Sequence, residues 1–152
     1  MGTPASIRNH PIHPMLVVFP IGLWVFSFIC DIVYHAGSYN IFWKGMAFYT
    51  MLGGVLGALV AAFPGFIDYL SLRERRVKQI AATHMVLNLI VVALFVFNLG
   101  VRLNASPDFE LLGMILSIVG LGIMSVSGWL GGSLVYVYRV GIEPSAEDRR
   151  AA

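Results

Sequence analysis

The side chains of this sequence best suited to chemistry are histidines near the ends of long apolar segments. His10 and His13 precede the first such segment, and His84 lies one to two turns inside the third. If these segment ends meet, His13 and His84 reach one level of a helix bundle from different helices. Two such imidazoles can hold a haem iron through its axial positions. The spacing therefore predicts a b-type haem site with His13 and His84 as ligands, and His10 as the substitute for His13.

Other residues would complete a haem site of this kind. Asn88 shares a helical face with His84, and Asp68 lies about one turn from the end of the second apolar segment. Either side chain could accept the second ring N–H of a ligand histidine, an arrangement usual around metal-bound imidazoles. Gly65 and Gly132 would leave space for the porphyrin faces, and Arg8, Arg76 or Lys78 would pair with the propionates. Because one haem does not bridge the bilayer, electrons would pass to a quinone or a redox partner protein.

The same residues allow two other interpretations. His10, His13, Asp68 and His84 supply three imidazoles and a carboxylate, which suit a divalent transition metal or a proton site without porphyrin. Alternatively, the polar cluster only fixes helix register, and the chain is a structural or accessory subunit of a membrane redox complex, or a homo-oligomer. We find no nucleophile with its base and no phosphate-binding loop in the sequence. An electron carrier or accessory subunit is therefore favoured over a stand-alone enzyme.

The composition is that of a membrane protein. The 152 residues are 58% hydrophobic and only 12% charged, with a mean hydropathy of +0.80, whereas about 25% of an ordinary soluble domain is charged. A net charge of +2 gives no field that would attract a nucleic acid. The single cysteine, Cys30, excludes an internal disulfide framework.

Four apolar segments are long enough to cross a bilayer as helices. They cover residues 14–34, 45–72, 80–101 and 111–138, and short polar segments connect them. Short connections make neighbouring helices antiparallel. We therefore expect an all-α fold, a single up-down four-helix transmembrane domain over residues 1–152, with both termini on one side and lipid around it.

The positions of the basic residues predict the orientation. Eight of the ten Lys and Arg residues lie in the N-terminal segment, the second connection and the C-terminal tail, and only Lys44 and Arg102 lie on the other side. This bias predicts that both termini lie in the cytoplasm. The second connection, RERRVK, could be a lipid-binding motif, but a topology signal that touches anionic headgroups is the favoured interpretation. Asp31 and His35 are expected at the opposite membrane interface.

Prolines and small residues predict how the helices begin and pack. Each proline of NHPIHPM disfavours the helical region for the residue before it, so His10 and His13 are expected to be extended, with Pro14 as the first helical residue. Pro20 and Pro64 are expected to kink their helices. Small residues at helical spacing predict close packing faces on the second and fourth segments. These are Gly54, Gly57, Ala61, Gly65 and Asp68 on the second, and Ser125, Gly128 and Gly132 on the fourth.

A weak internal repeat relates the two halves of the chain. Aligning His13 with His84 places Trp24-Val25-Phe26 on Phe95-Val96-Phe97 without gaps. Gly65 and Tyr69 then end the second segment as Gly132 and Tyr136 end the fourth. The repeat predicts two similar hairpins about an axis along the membrane normal, with His13 facing His84.

The combined pattern resembles a bacterial family of membrane proteins named as domain of unknown function number twenty-two thirty-one. The resemblance covers nearly the whole chain. It rests on the HPxHP opening, on a Gly and an Asp near the end of the second segment, on a His in the third, and on GGxLVY in the fourth; here these are His10 to Pro14, Gly65, Asp68, His84 and Gly131 to Tyr136. The resemblance implies a four-helix protein of the bacterial inner membrane whose relatives are sometimes joined to a Rieske-type iron–sulfur domain, and it implies no established activity.

Overall fold

The computed structural model describes residues 3–8, 10–103 and 107–142, and all structural statements below concern these residues. A two-stranded ribbon, β1 (Ser6–Ile7) and β2 (His10–Pro11), precedes five helices. The helices are α1 (Ile12–Leu16), α2 (Val18–Val33), α3 (Ile41–Ser71), α4 (Arg75–Arg102) and α5 (Pro107–Tyr136), and a π-helical turn, Tyr34–Ser38, extends α2. The fold is an all-α four-helix membrane bundle.

The first span consists of α1, α2 and the π-helical turn, which together cover Ile12–Gly37. The helix is interrupted at Val17, because Pro20 has no N–H to donate to the carbonyl of Leu16. The expectation that His13 is extended is wrong, since α1 begins at Ile12 and contains His13. Pro14 is tolerated there because the N–H groups of a first helical turn have no partner within the helix.

The other three spans are Ile41–Ser71, Arg75–Arg102 and Glu110–Tyr136. Asn40 starts α3 by accepting a hydrogen bond from the Phe42 backbone N–H at 2.9 Å. Pro64 lies inside α3, which continues unbroken through it. The connection from α3 to α4 is residues 72–74, and part of the connection from α4 to α5 lies outside the described residues, as do Arg149 and Arg150.

The four spans form two hairpins that are built alike. The first hairpin is the first span with α3, the second hairpin is α4 with α5, and packing is most extensive within each hairpin. Residues of the first span match residues of α4 at one constant difference in residue number. Residues of α3 match residues of α5 at a second constant difference. The first set is His13 and His84, Trp24 and Phe95, Ser27 and Asn98, Asp31 and Arg102; the second is Lys44 and Glu110, Ala47 and Gly113, Gly54 and Gly120, Ala61 and Ser127, Gly65 and Gly131.

Several of these equivalents contact each other, so they lie on the axis that relates the hairpins. The rings of Trp24 and Phe95 stack with centroids 4.4 Å apart and an interplanar angle of 11°. They form the centre of the core, together with Met51, Val55 and Val91. The polar contacts inside each hairpin repeat as well: Ser27 Oγ donates to the carbonyl of Ala47 at 2.7 Å, and Asn98 Nδ2 donates to that of Gly113 at 2.9 Å.

Glycines set the close approach of the helices within each hairpin. A Cβ on Gly54 would lie 2.5 Å from Trp24 Nε1, and one on Gly120 would lie 3.0 Å from Phe95. The small-residue face predicted on the second segment therefore meets the first span. The face of α5 that meets α4 is Gly113, Ser117, Gly120, Ser127 and Gly131, whereas Ser125 and Gly128 are exposed. The packing face predicted for the fourth segment was therefore wrong, because its residues lie on another side of the helix.

Two charge pairs join the hairpins at the end of the bundle opposite to the α3–α4 connection. Arg102 binds both carboxylate oxygens of Asp31, at 2.7 and 2.5 Å. Asp31, expected at this membrane interface, is buried inside the bundle, with a residue exposure of only 6%. Lys44 pairs with Glu110 nearby.

The chain segments at the other end of the bundle pack together. The Ala5 backbone N–H donates to Asp68 Oδ1 at 2.9 Å, and the Ile12 N–H donates to the Ala5 carbonyl at 3.0 Å. After α5 the chain turns through Arg139 and Gly141, which have positive φ angles of 52° and 81°. A Cβ on Gly141 would lie 3.1 Å from Pro11, so the end of the described chain lies against the N-terminal segment.

Candidate histidine site

His13 is held by two features of α3. Its Nδ1 lies 2.8 Å from the carbonyl of Ala61. Its ring occupies the space that a Cβ on Gly65 would need, with Nδ1 at 2.7 Å from that position. The carbonyl and the glycine are four residues apart and therefore lie on one face of α3. Together they fix the position and the orientation of the ring.

His84 is held in the same way by α5. Its Nδ1 lies 2.7 Å from the carbonyl of Ser127, and its Cε1 would lie 2.9 Å from a Cβ on Gly131. The Ser127 hydroxyl adds contacts to His84, at 3.0 Å from Nδ1 and 3.2 Å from the backbone carbonyl. The two histidines thus have equivalent surroundings in the two hairpins.

The carbonyl partners determine which ring nitrogen carries the proton. A carbonyl oxygen only accepts hydrogen bonds, so Nδ1 of each ring is the donor. In the neutral rings, Nε2 then carries the lone pair, which is the form in which imidazole binds a metal. For His84 this lone pair accepts a hydrogen bond from Asn88 Nδ2 at 3.0 Å.

The two rings meet between the hairpins. Their centroids are 6.2 Å apart and their planes are nearly perpendicular, at 84°. Both residues are half-buried. The structure therefore places two imidazoles from different helices together at one end of the bundle, on the axis that relates the hairpins.

Other residues considered from the sequence lie in different surroundings. His10 is exposed, and its Nδ1 bonds the carbonyl of Arg8 at 2.8 Å. Asp68 is buried and accepts the Ala5 N–H. Arg76 is exposed at the start of α4, and a Cβ on Gly132 would meet nothing within 4 Å. Within the described ranges, no three His, Cys, Asp or Glu side chains are grouped so that they could hold a metal ion.

Three residues that shape the site were missed from the sequence. Ala61 and Ser127 contribute backbone carbonyls, which any residue type provides, so composition carries no signal for them. Gly131 was passed over in favour of Gly132, because the repeat was aligned one residue too far at the end of the fourth segment. The glycines carry a signal that corrects this, because the offset that places Gly54 on Gly120 also places Gly65 on Gly131.

The fold and the site define an integral membrane protein of two helical hairpins with a histidine pair between them. The chain belongs to the family described as "Predicted membrane protein (DUF2231)", which matches residues 9–144. Nothing among the curated proteins or the solved structures matches it.

Proposed function

We propose that this protein binds a b-type haem between His13 and His84 and passes electrons near one face of the membrane. The observation that carries the proposal is the paired geometry of the two rings. Each Nδ1 donates to a backbone carbonyl, which is a usual second partner of a metal-bound histidine and leaves Nε2 as the ligand atom. Two imidazoles suffice for a haem because the porphyrin supplies the other four nitrogen ligands.

Haem binding requires the hydrogen bonds of the site to change. The Asn88 amide now donates to Nε2 of His84, so it must turn away before that atom binds iron. The rings of His13 and His84 already fill the space beside Gly65 and Gly131. These glycines therefore support the ligands, and the role proposed for Gly65 changes from making room for the macrocycle to holding His13.

The surroundings of the pair suit an electron carrier. A bound haem would supply reversible one-electron iron chemistry. The half-buried rings lie near the chain ends of the bundle, where a quinone or a redox partner protein could approach. Arg76, exposed at the start of α4, is proposed to pair with a propionate.

Absorption spectra of the protein purified in detergent, oxidised and then reduced, test the proposal. We expect a Soret band and reduced α and β bands typical of a six-coordinate, low-spin haem. His13→Leu and His84→Leu should each abolish this spectrum, while His10→Leu and His35→Leu should keep it. A wild-type protein that stays colourless after expression with added haem precursor would overturn the proposal.

We also propose that the protein lies in the bacterial inner membrane with both termini in the cytoplasm. The support is the excess of basic residues on the side of the termini and of the α3–α4 connection. A green fluorescent protein fused after Ala152 should fluoresce, and its failure to do so in correctly inserted protein would contradict this orientation.

The hydrogen bond from Asn88 to His84 favours a second candidate, a proton-transfer or metal site without porphyrin. Asn88 donates to His84 in the present arrangement, and the His13 ring lies beside that of His84, with the ring centroids 6.2 Å apart. Metal analysis of the purified protein, together with a spectrum lacking a Soret band, would distinguish this candidate from the haem protein. His10 and Asp68 would add ligands only if they left their present partners.

A further inference from the structure

A shallow cavity, largely open to its surroundings, lies beside the connection between α3 and α4. Its volume is about 280 Å³, and it is lined by Tyr69, Arg75, Lys78, Gln79 and Ala82. Tyr69 belongs to the last turn of α3, and the other four belong to the beginning of α4. The span Ile41–Ser71 ends here, and the span Arg75–Arg102 begins here. The cavity therefore lies where the membrane core gives way to the headgroups.

Two cations line this cavity without a carboxylate partner among the described residues. The ion pairs among the described residues join Lys44 to Glu110 and Arg102 to Asp31, so they include neither Arg75 nor Lys78. Lys78 Nζ lies 5.3 Å from the centre of the Tyr69 ring, which holds the ammonium at the cavity wall.

The only acidic neighbour in this turn does not neutralise the cavity. Glu74 precedes α4, is exposed, and makes no side-chain hydrogen bond to the helix start. The first turn of α4 contains no acidic residue. The field in the cavity is therefore positive, and the partial positive charge at the start of α4 adds to it.

We infer that this cavity binds the phosphate of an anionic phospholipid. Arg75 and Lys78 supply charge-assisted hydrogen bonds to the phosphate oxygens, and Gln79 supplies a neutral donor. The Tyr69 ring and the Ala82 methyl group provide apolar contact for the glycerol and the first acyl carbons. A lipid headgroup is favoured over a free phosphate ion because the cavity combines positive charge with apolar walls at headgroup depth. This inference does not depend on the haem proposal.

Binding to defined lipids tests this inference on the full chain. We would titrate the protein in detergent with palmitoyl-oleoyl phosphatidylglycerol or phosphatidylcholine, and count bound lipid by native mass spectrometry. We expect wild type to retain phosphatidylglycerol selectively. Arg75→Gln/Lys78→Gln should weaken this binding about a hundredfold, since each charge-assisted hydrogen bond to the phosphate contributes roughly tenfold.

A matched control separates a site from general attraction. Arg73→Gln/Arg76→Gln removes the same charge from the same connection, but from residues that do not line the cavity. The loss of affinity should be at least ten times smaller than the loss in Arg75→Gln/Lys78→Gln. Equal losses in the two double variants would overturn the site. Inorganic phosphate that displaces the lipid at millimolar concentration would also overturn it, because the recognised group would then be the free ion.

Discussion

His13 and His84 are held by the same pair of features, a backbone carbonyl and a glycine four residues beyond it. The carbonyl orients the ring, and the missing Cβ gives the ring its place against the helix. These two glycines are therefore specific to the site, whereas Gly132, next in sequence to Gly131, borders open space.

Alanine substitutions should distinguish these glycines. We expect Gly65→Ala and Gly131→Ala each to destabilise the protein by about 1–3 kcal/mol, because the new methyl group overlaps a histidine ring held by a carbonyl. In a chain of this size that corresponds to a fall of about 2–12 °C in the thermal unfolding midpoint in detergent. Gly132→Ala is the control and should destabilise the protein by less than about 0.5 kcal/mol. A Gly131→Ala protein as stable as the control would show that the ring is free to move.

At this scale the sequence predicted that His13 and His84 form a pair, but not what holds them. Histidine near an apolar segment is a rare residue type with a chemical meaning, so His13 and His84 could be selected by type and spacing. The carbonyls of Ala61 and Ser127 could not, because their role depends on where the partner helix places the backbone. Asn88 was correctly placed beside His84, yet it bonds the ring nitrogen needed for a ligand.

The helices are joined across the hairpins by two charge pairs of unequal burial. The side chains of Arg102 and Asp31 are only 11% and 8% exposed, compared with 30% and 25% for Lys44 and Glu110. Arg102 also donates from Nε to Asn98 Oδ1 at 3.0 Å. Because a buried charge without its partner is unfavourable, the more buried pair, Arg102 with Asp31, should contribute far more to the association of the helices.

Methionine substitutions would measure this difference. Arg102→Met should lower the free energy of unfolding by about 3–5 kcal/mol, because it leaves the Asp31 carboxylate buried and unpaired. Asp31→Leu/Arg102→Met should recover part of that loss, since both charges are then absent. Lys44→Met, at the more exposed pair, should cost no more than about 1 kcal/mol. Chemical or thermal unfolding in detergent gives the comparison, and a double variant worse than Arg102→Met would contradict the explanation.

At the scale of helices, the sequence predicted the number of spans and the packing face of α3. Length and hydropathy decide the first, and the regular spacing of glycines decides the second. The start of α1 was missed, because Pro14 fits the first turn of a helix as well as its first residue. The packing face of α5 was missed because small residues occur on two of its sides, and only the contacts with α4 show which one is used.

The whole molecule is two hairpins related by an approximate twofold axis, with the histidine pair, the Trp24–Phe95 stack and the Asp31–Arg102 pair along it. The sequence repeat predicted that His13 faces His84. It could not predict the charge pairs, because opposite charges at equivalent positions lower the similarity of the two halves, and the similarity was the signal being used.

Exchanging the two central rings tests this symmetry. Phe95→Trp alone adds volume to a filled core and Trp24→Phe alone leaves a void, so each should cost about 1–3 kcal/mol. Trp24→Phe/Phe95→Trp keeps the total volume and moves the indole to the equivalent place in the other hairpin. We expect the double variant to be more stable than the sum of the single changes predicts, by thermal unfolding in detergent. Additive losses would show that the two surroundings are not interchangeable.

The opposite charges on the axis also decide which halves are compatible. If one hairpin met a copy of itself in this geometry, the first would bring two aspartates together and two lysines together, and the second two arginines and two glutamates. Each mismatch would bring like charges together, and at the Asp31–Arg102 position it would do so where water reaches poorly. The chain therefore discriminates against self-recognition of its halves, so that a symmetric-looking bundle assembles from unlike parts.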